Sequence, residues 1–332
     1  MRLHAAAIVL LVILAAGGCA SNPPRPVTDV PVPKDPPPPP PRAHTPIDPA
    51  LQESARQQLI QSAHSTEPVI RIHAVEAMQN GLAAAGEPMI VAALSDSDPG
   101  VRFAACLAAG ELRFASARSR LVELVNDTDP QVPVGALFAL HRLGDTSRSH
   151  ELEATAKSTD KATRADTAIV LGMLGEPSAT VILDRLDRDI DPIVRIQAAE
   201  ALWRLGNQRG LEELVAYTIS PFGDDQMIAL IALAEPRDQR VIGHIHGKLG
   251  SDEPEVALVA ARGLGMLSSD AGYGIAIAGT ASTDQRQRLL AALALGAIGR
   301  PDGQSALAKL LRDPVETVRV GAAMALLQLA QQ

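Results

Sequence analysis

Aromatic side chains are almost missing from this chain: four Phe, two Tyr and one Trp make 2% of 332 residues. A compact globule of this length usually fills its centre with large rings, whereas thin layers of stacked helices close with alanine and leucine. Positive charge is not in excess. Thirty Lys and Arg stand against 38 Asp and Glu, a net −8, which excludes an electrostatic grip on nucleic acid. The apolar run at residues 5–16 is twelve long, too short for an ordinary membrane-spanning helix. No P-loop, His-Glu-x-x-His, Gly-x-Ser-x-Gly or Cys-x-x-Cys string occurs. Ser158 to Lys161 spells Ser-x-x-Lys, but its partner motifs are absent. His244 and His246 are two apart, so a helix points them to different faces. The sequence therefore assigns no catalytic residue, no metal and no cofactor.

The N-terminus reads as a targeting segment. Arg2, the apolar run and "AAGGC" ending at Cys19 resemble the lipobox of bacterial lipoproteins, with Ala16 where leucine is usual. The resemblance implies a signal peptide over residues 1–18 and a lipid on Cys19; the plainer alternative is a secretory signal with a chance cysteine. Residues 22–49 then hold thirteen prolines in twenty-eight positions. Such a segment cannot pack a core and favours polyproline II, reaching on the order of 80 Å at about 3.1 Å per residue. Residues 19–49 read as a tether between lipid and domain. Ala20 and Ser21 carry no aspartate retention signal, which by resemblance to enterobacterial sorting favours the outer membrane. With Cys19 lipidated, Cys106 has no partner and no intramolecular disulfide forms.

Residues 50–332 are periodic. Arg71, Arg102, Arg164, Arg195, Arg288 and Arg319 are separated by multiples of thirty-one, with Pro133, Gln226 and Ala257 in the empty slots, which makes nine units without insertion. Alanine recurs three positions after that slot and leucine seven and ten after it, the apolar face of a helix. Acid-proline pairs precede the helices as caps, and Gly144, Gly175, Gly206 and Gly299 end them. A second helix follows in each unit. A fixed period of this length signals a solenoid. Residues 49–63 read as a half-unit helix closing the N-terminal end. Two places depart from the pattern: Pro236 cuts one helix short, and Gly272, Gly274 and Gly279 predict a weak or irregular second helix in residues 271–282.

The string "DPxVRxxAAxALxxLG" resembles HEAT-like repeats of the short, thirty-one-residue kind found in phycobilin lyase subunits. The resemblance implies an all-α, right-handed α-solenoid of about nine helix–turn–helix units. It also implies an acid–arginine ladder between units, which in this sequence reads as Glu67 with Arg71, Asp98 with Arg102, Asp160 with Arg164, Asp191 with Arg195 and Asp284 with Arg288.

One helix face is the candidate site. Positions one and five after the arginine slot point away from the alanine–leucine face, and in HEAT-like proteins that side lines the concave groove. Here it holds Phe103, Leu107, Phe138, Ile196, Met227, Ile231, Leu258, Leu289 and Leu293. So large an apolar stripe predicts a groove for a protein or an extended peptide, or else strong curvature that packs the face between units. Trp203 stands in a slot that several other units fill with glycine or alanine and one with His141; the tryptophan reads either as a groove anchor, with His141 and Arg204 as further groove candidates, or as a filler between units. Cys106 lies on the core face and reads as a buried thiol.

These readings combine into a non-enzymatic scaffold in the cell envelope, held to the membrane by an N-terminal lipid, facing the periplasm and binding a protein partner. A homo-oligomer is an alternative, since the last helix, residues 316–330, has no second helix after it. A lyase that attaches a chromophore is the enzyme alternative, set against by the lipobox.

Overall fold

The computed structural model describes residues 47–331. The signal-peptide and lipidation expectations, and nearly all of the tether, lie outside these residues. Eighteen α-helices and no strand are present among them. They form nine pairs, each an outer helix followed by an inner one. The outer helices are α1 Pro49–Ser62, α3 Glu87–Ala93, α5 Arg118–Leu124, α7 Leu152–Thr155, α9 Thr180–Leu186, α11 Gln208–Tyr217, α13 Ile242–His246, α15 Tyr273–Gly279 and α17 Gln304–Leu310. The inner helices are α2 Pro68–Gly81, α4 Pro99–Glu111, α6 Val132–Arg142, α8 Lys161–Leu174, α10 Pro192–Arg204, α12 Gly223–Ala234, α14 Pro254–Met266, α16 Gln285–Ile298 and α18 Glu316–Leu329. The arginine slots all lie on inner helices.

The solenoid closes into a ring. The last inner helix, α18, packs against both α1 and α2. Ser62 Oγ donates to Glu316 Oε1 at 2.8 Å, Arg319 Nε to Gln58 Oε1 at 3.2 Å, and Gln331 Nε2 to the Gly81 carbonyl at 3.0 Å. The N-terminal half-unit is thus the outer helix that the last inner helix lacked, and the two chain ends complete each other. Ile47, expected in the tether, is buried in this seam.

Four of the nine junctions between units are tied by one recurring clip. The Arg71 guanidinium donates through Nη1 to the Ser65 carbonyl at 2.9 Å, and through Nε and Nη2 to both oxygens of Asp96 at 2.8 and 2.7 Å. Arg102 does the same to Asp127, Arg164 to Asp189 and Arg288 to Asp313, always 25 residues ahead. Fork-to-carboxylate geometry of this kind is strong and directional, and it holds the Asp96 carboxyl below its usual range.

The ladder expected from the sequence is corrected accordingly. The arginines are in it, but Asp98, Asp160, Asp191 and Asp284 instead accept backbone N–H bonds from their own helices' first turns, and Glu67 makes no side-chain cap bond. The true partner sits two residues before each cap. That position is always Asp or Ser, and its side chain always accepts the N–H two residues on. Aspartate follows four of the six arginines; serine follows Pro133, Gln226 and Ala257 and the other two arginines, Arg195 and Arg319. Two arginines meet a serine: Arg319 turns to Gln58 across the seam, and Arg195 reaches the Tyr217 hydroxyl at 3.4 Å.

Residues 271–282, expected to be weak or irregular, contain the regular helix α15. Two of its glycines answer to packing: a methyl at Gly272 would stand 2.3 Å from Ala261 Cβ, and one at Gly279 2.8 Å from Leu258 Cδ2. Gly274 faces open space. Gly274→Ala should therefore raise stability by roughly 0.5–1 kcal/mol, because alanine loses less backbone freedom on folding; urea titration of the two proteins measures it.

Candidate functional site

The apolar stripe does not line an open groove. Phe103, Leu107, Phe138, Ile196, Met227, Ile231, Leu258, Leu289 and Leu293 are all buried. Closing nine inner helices into a ring turns their concave faces on one another, and the side chains expected to meet a peptide fill the centre instead. The stripe is core, the second of the two readings the sequence left open.

Polar groups thread this apolar centre. Arg204 Nη2 donates to Glu200 Oε1 at 2.6 Å and lies 3.5 Å from Glu235 Oε2. Arg142 Nε is 3.7 Å from Glu111 Oε1. Arg262 faces Glu235 and Glu76. The carboxyls of Glu76 and Glu235 are pushed up by burial, to about 8 and about 7, against the pull of Arg262 and Arg204. His73 is pushed down to about 4 by the same desolvation. Helices from opposite sides of the ring contribute to this network, so it ties the centre together. Arg204, expected at a groove, is one of its buried members.

Trp203 is a filler. Its indole N–H donates to the Leu233 carbonyl at 3.4 Å, its ring is buried between α10 and α12, and the Arg240 guanidinium lies 5.4 Å from its centroid. At the equivalent position of α14, Gly265 lets the next inner helix approach until a methyl would stand 2.5 Å from the Ile298 nitrogen. Helices α10 and α12 pack less closely, and the indole fills the difference. Helices α6 and α8 also stand apart, and there His141 holds the position. Its Nδ1 pairs with Ser149 Oγ at 2.8 Å and its Nε2 with Glu176 Oε1 at 2.9 Å. Serine, histidine and acid in series have the order of a catalytic triad. Here Glu176 is half exposed and screened by water, and the series bridges units three and four as a clasp. It edges a shallow hollow of about 160 Å³. Cys106 is buried, its thiol pushed well up by desolvation, so it is a packing residue and no nucleophile. Among the described residues no group of three His, Cys, Asp or Glu could hold a metal, and no helix is long and apolar enough to cross a membrane.

Residues 56–140 and 118–203 match the family described as HEAT repeats. The chain carries HEAT repeats. The matched stretches span units one to five, and the remaining units of the HEAT ring continue in the same thirty-one-residue register. No curated protein matches the chain. Among solved structures, human deoxyhypusine hydroxylase is similar with TM-score 0.39 and 18% identity over 85% of this chain and 98% of its own. The complex of CpcE and CpcF of phycocyanin lyase from Nostoc is similar with TM-score 0.42 and 18% identity over 71% and 92%. A mutant of Kap121p is similar with TM-score 0.35 and 14% identity over 83% and 37%. A helical-repeat scaffold of this kind is compatible with protein binding.

With its centre packed, the ring presents its rims and outer wall to its surroundings. Of the exposed large apolar side chains, Val122 and Val181 stand on outer helices and Val69 at the start of α2, while four share the rim where α10 and α12 begin: Ile190 at 91%, Ile219 at 59%, Phe222 at 39% and Ile193 at 38% exposure. Sequence reasoning missed them because it looked only along the helix face. The signal was in the repeat: Ile190 occupies a slot that otherwise holds Thr, Ser, Pro or Asp, and Phe222 one that otherwise holds an acid in all units but the last, where Val315 stands.

Proposed function

We propose that this chain is a non-enzymatic scaffold of the cell envelope, tethered by a lipid on Cys19 and binding protein through the outer surface of its closed HEAT ring. The observation that carries the reading is closure. Among the described residues, a ring whose concave face is its own core offers rims, an outer wall and shallow hollows rather than a deep concave groove. Rigid surfaces of this kind bind with little ordering cost. The lipobox and the proline-rich segment support placement at a membrane facing the periplasm, with the outer membrane favoured by the residues after Cys19.

The test uses the full chain expressed in a bacterium with an alkyne-palmitate label. The expected result is label in the membrane fraction that disappears in Cys19→Ser, together with a specific protein retained by the detergent-solubilised chain after cross-linking. Unlabelled protein free of the membrane would refute the tether. Full labelling with no protein cross-linked to it, another copy included, would refute the scaffold.

A further inference from the structure

The rim of units five and six has a surface that fits itself. Ile190 and Ile193 lie on the loop and first turn that begin α10; Ile219 and Phe222 lie on the next loop, before α12. The two loops are neighbours, since Arg195 donates to the Ile190 carbonyl at 3.0 Å and to the Tyr217 hydroxyl two residues before Ile219. Three of these side chains replace polar or small residues of the repeat, and Phe222 leaves α12 without a side-chain cap. Scattered exposed isoleucines need no explanation, but a contiguous patch that displaces the repeat's own capping residue does.

The charges beside the patch differ on its two flanks. On the side of unit four, the carboxylates are used within the fold: Asp189 holds Arg164, Asp191 caps α10, and Glu153 pairs with Lys157. Exposed cations remain there, namely Arg188 and Lys161, the latter 3.1 Å from Asp191. On the side of unit seven the acids outnumber the cations: Asp252 and Glu253 are exposed on the next loop, while Arg286 is spent on Asp224 at 3.0 Å and Glu255 at 3.1 Å and Lys248 is held by Gln226 Oε1 at 3.2 Å. An apolar centre with a positive flank and a negative flank is self-complementary under a two-fold rotation: the cationic flank of one copy faces the anionic flank of the other.

We propose that the HEAT ring pairs rim to rim with a second copy of itself through Ile190, Ile193, Ile219 and Phe222. The two-fold axis lies between units five and six. The proposal rests on the reading that the ring acts through its outside, and it names the first partner of that surface. It also moves self-association from the last helix, which the seam covers, to the opposite side of the ring.

Sedimentation equilibrium of residues 47–332, whose core is closed on itself, measures the pairing over a wide concentration range. The wild-type mass should rise from one chain to two. Ile190→Thr with Phe222→Asp, both residues taken from the same slots of other units, should remain a single chain with unchanged helical circular dichroism. Arg188→Glu alone or Glu253→Arg alone should weaken pairing about tenfold, and the two together should restore it, as a contact of one flank with the other requires; a mass that stops at two chains makes that contact two-fold. A ring that stays monomeric at every concentration overturns the proposal. So does a dimer that survives Ile190→Thr with Phe222→Asp, or a monomeric ring that sediments with phosphatidylethanolamine–phosphatidylglycerol vesicles through the same residues. A monomeric ring whose full chain still cross-links a different protein would leave the scaffold reading intact and sink only this pairing.

Discussion

Leu327→Ala should destabilise the ring by about 3 kcal/mol, the usual cost of truncating a fully packed leucine. Leu327 lies near the C-terminal end of α18, where an open solenoid would leave it at a free end; there its truncation would cost roughly 0.5 kcal/mol or less. In the closed ring it is buried and packs against Gly81, so closely that a methyl on Gly81 would stand 2.9 Å from Leu327 Cβ. The contact uses the same pair of helix positions as the one Gly265 makes with the following inner helix, so the seam is built as an internal junction is. The magnitude therefore reports closure itself. Urea or thermal unfolding of the two proteins measures it, and a negligible loss would mean that the ends do not meet. Closure also removes the ends from which a repeat array frays, so wild-type unfolding should be one cooperative transition.

The second large effect is on pH. Glu76 and Glu235 have folded-state values of about 8 and about 7, and burial likewise pushes Asp166 up to about 7. All three lie above the unfolded values, so the folded ring binds these protons more tightly. Their contribution is complete below about pH 4 and is lost as pH rises through 7 to 8. His73 has the opposite sign: its folded value of about 4 is below the unfolded one, so its neutral form stabilises the ring above about pH 6.5 and that contribution fades as pH falls toward 4. Three falling contributions outweigh the one that rises, so stability should be highest near pH 4 to 5 and decline by on the order of 5 kcal/mol toward pH 8, the part above pH 7 through Glu76. Glu76→Gln keeps the shape of the neutral acid and should flatten the alkaline decline. Thermal melts of both proteins between pH 5 and 9 decide it, and parallel curves would place the proton elsewhere.

The repeat was legible because it is local chemistry. Acid caps, a proline at the first turn, alanine and leucine at helical spacing and a glycine stop recur every thirty-one residues, and each acts within one helix or its turn. That determined the helices, their number and the solenoid class. It did not determine the partner of each arginine, because the acid four residues before it is near in sequence while the true partner lies 25 residues ahead, and only the docking of the next unit brings Asp96, Asp127, Asp189 and Asp313 into the fork. It also did not determine the site. Whether Phe103, Phe138 and Met227 face a ligand or one another depends on the small rotation between successive units, summed nine times. No single unit encodes that sum, so the inner stripe reads as a groove from the sequence, and closure of the ring makes it core. What remains outside is the rim of units five and six, set apart by residues such as Phe222 that break the repeat where nothing in the fold requires it.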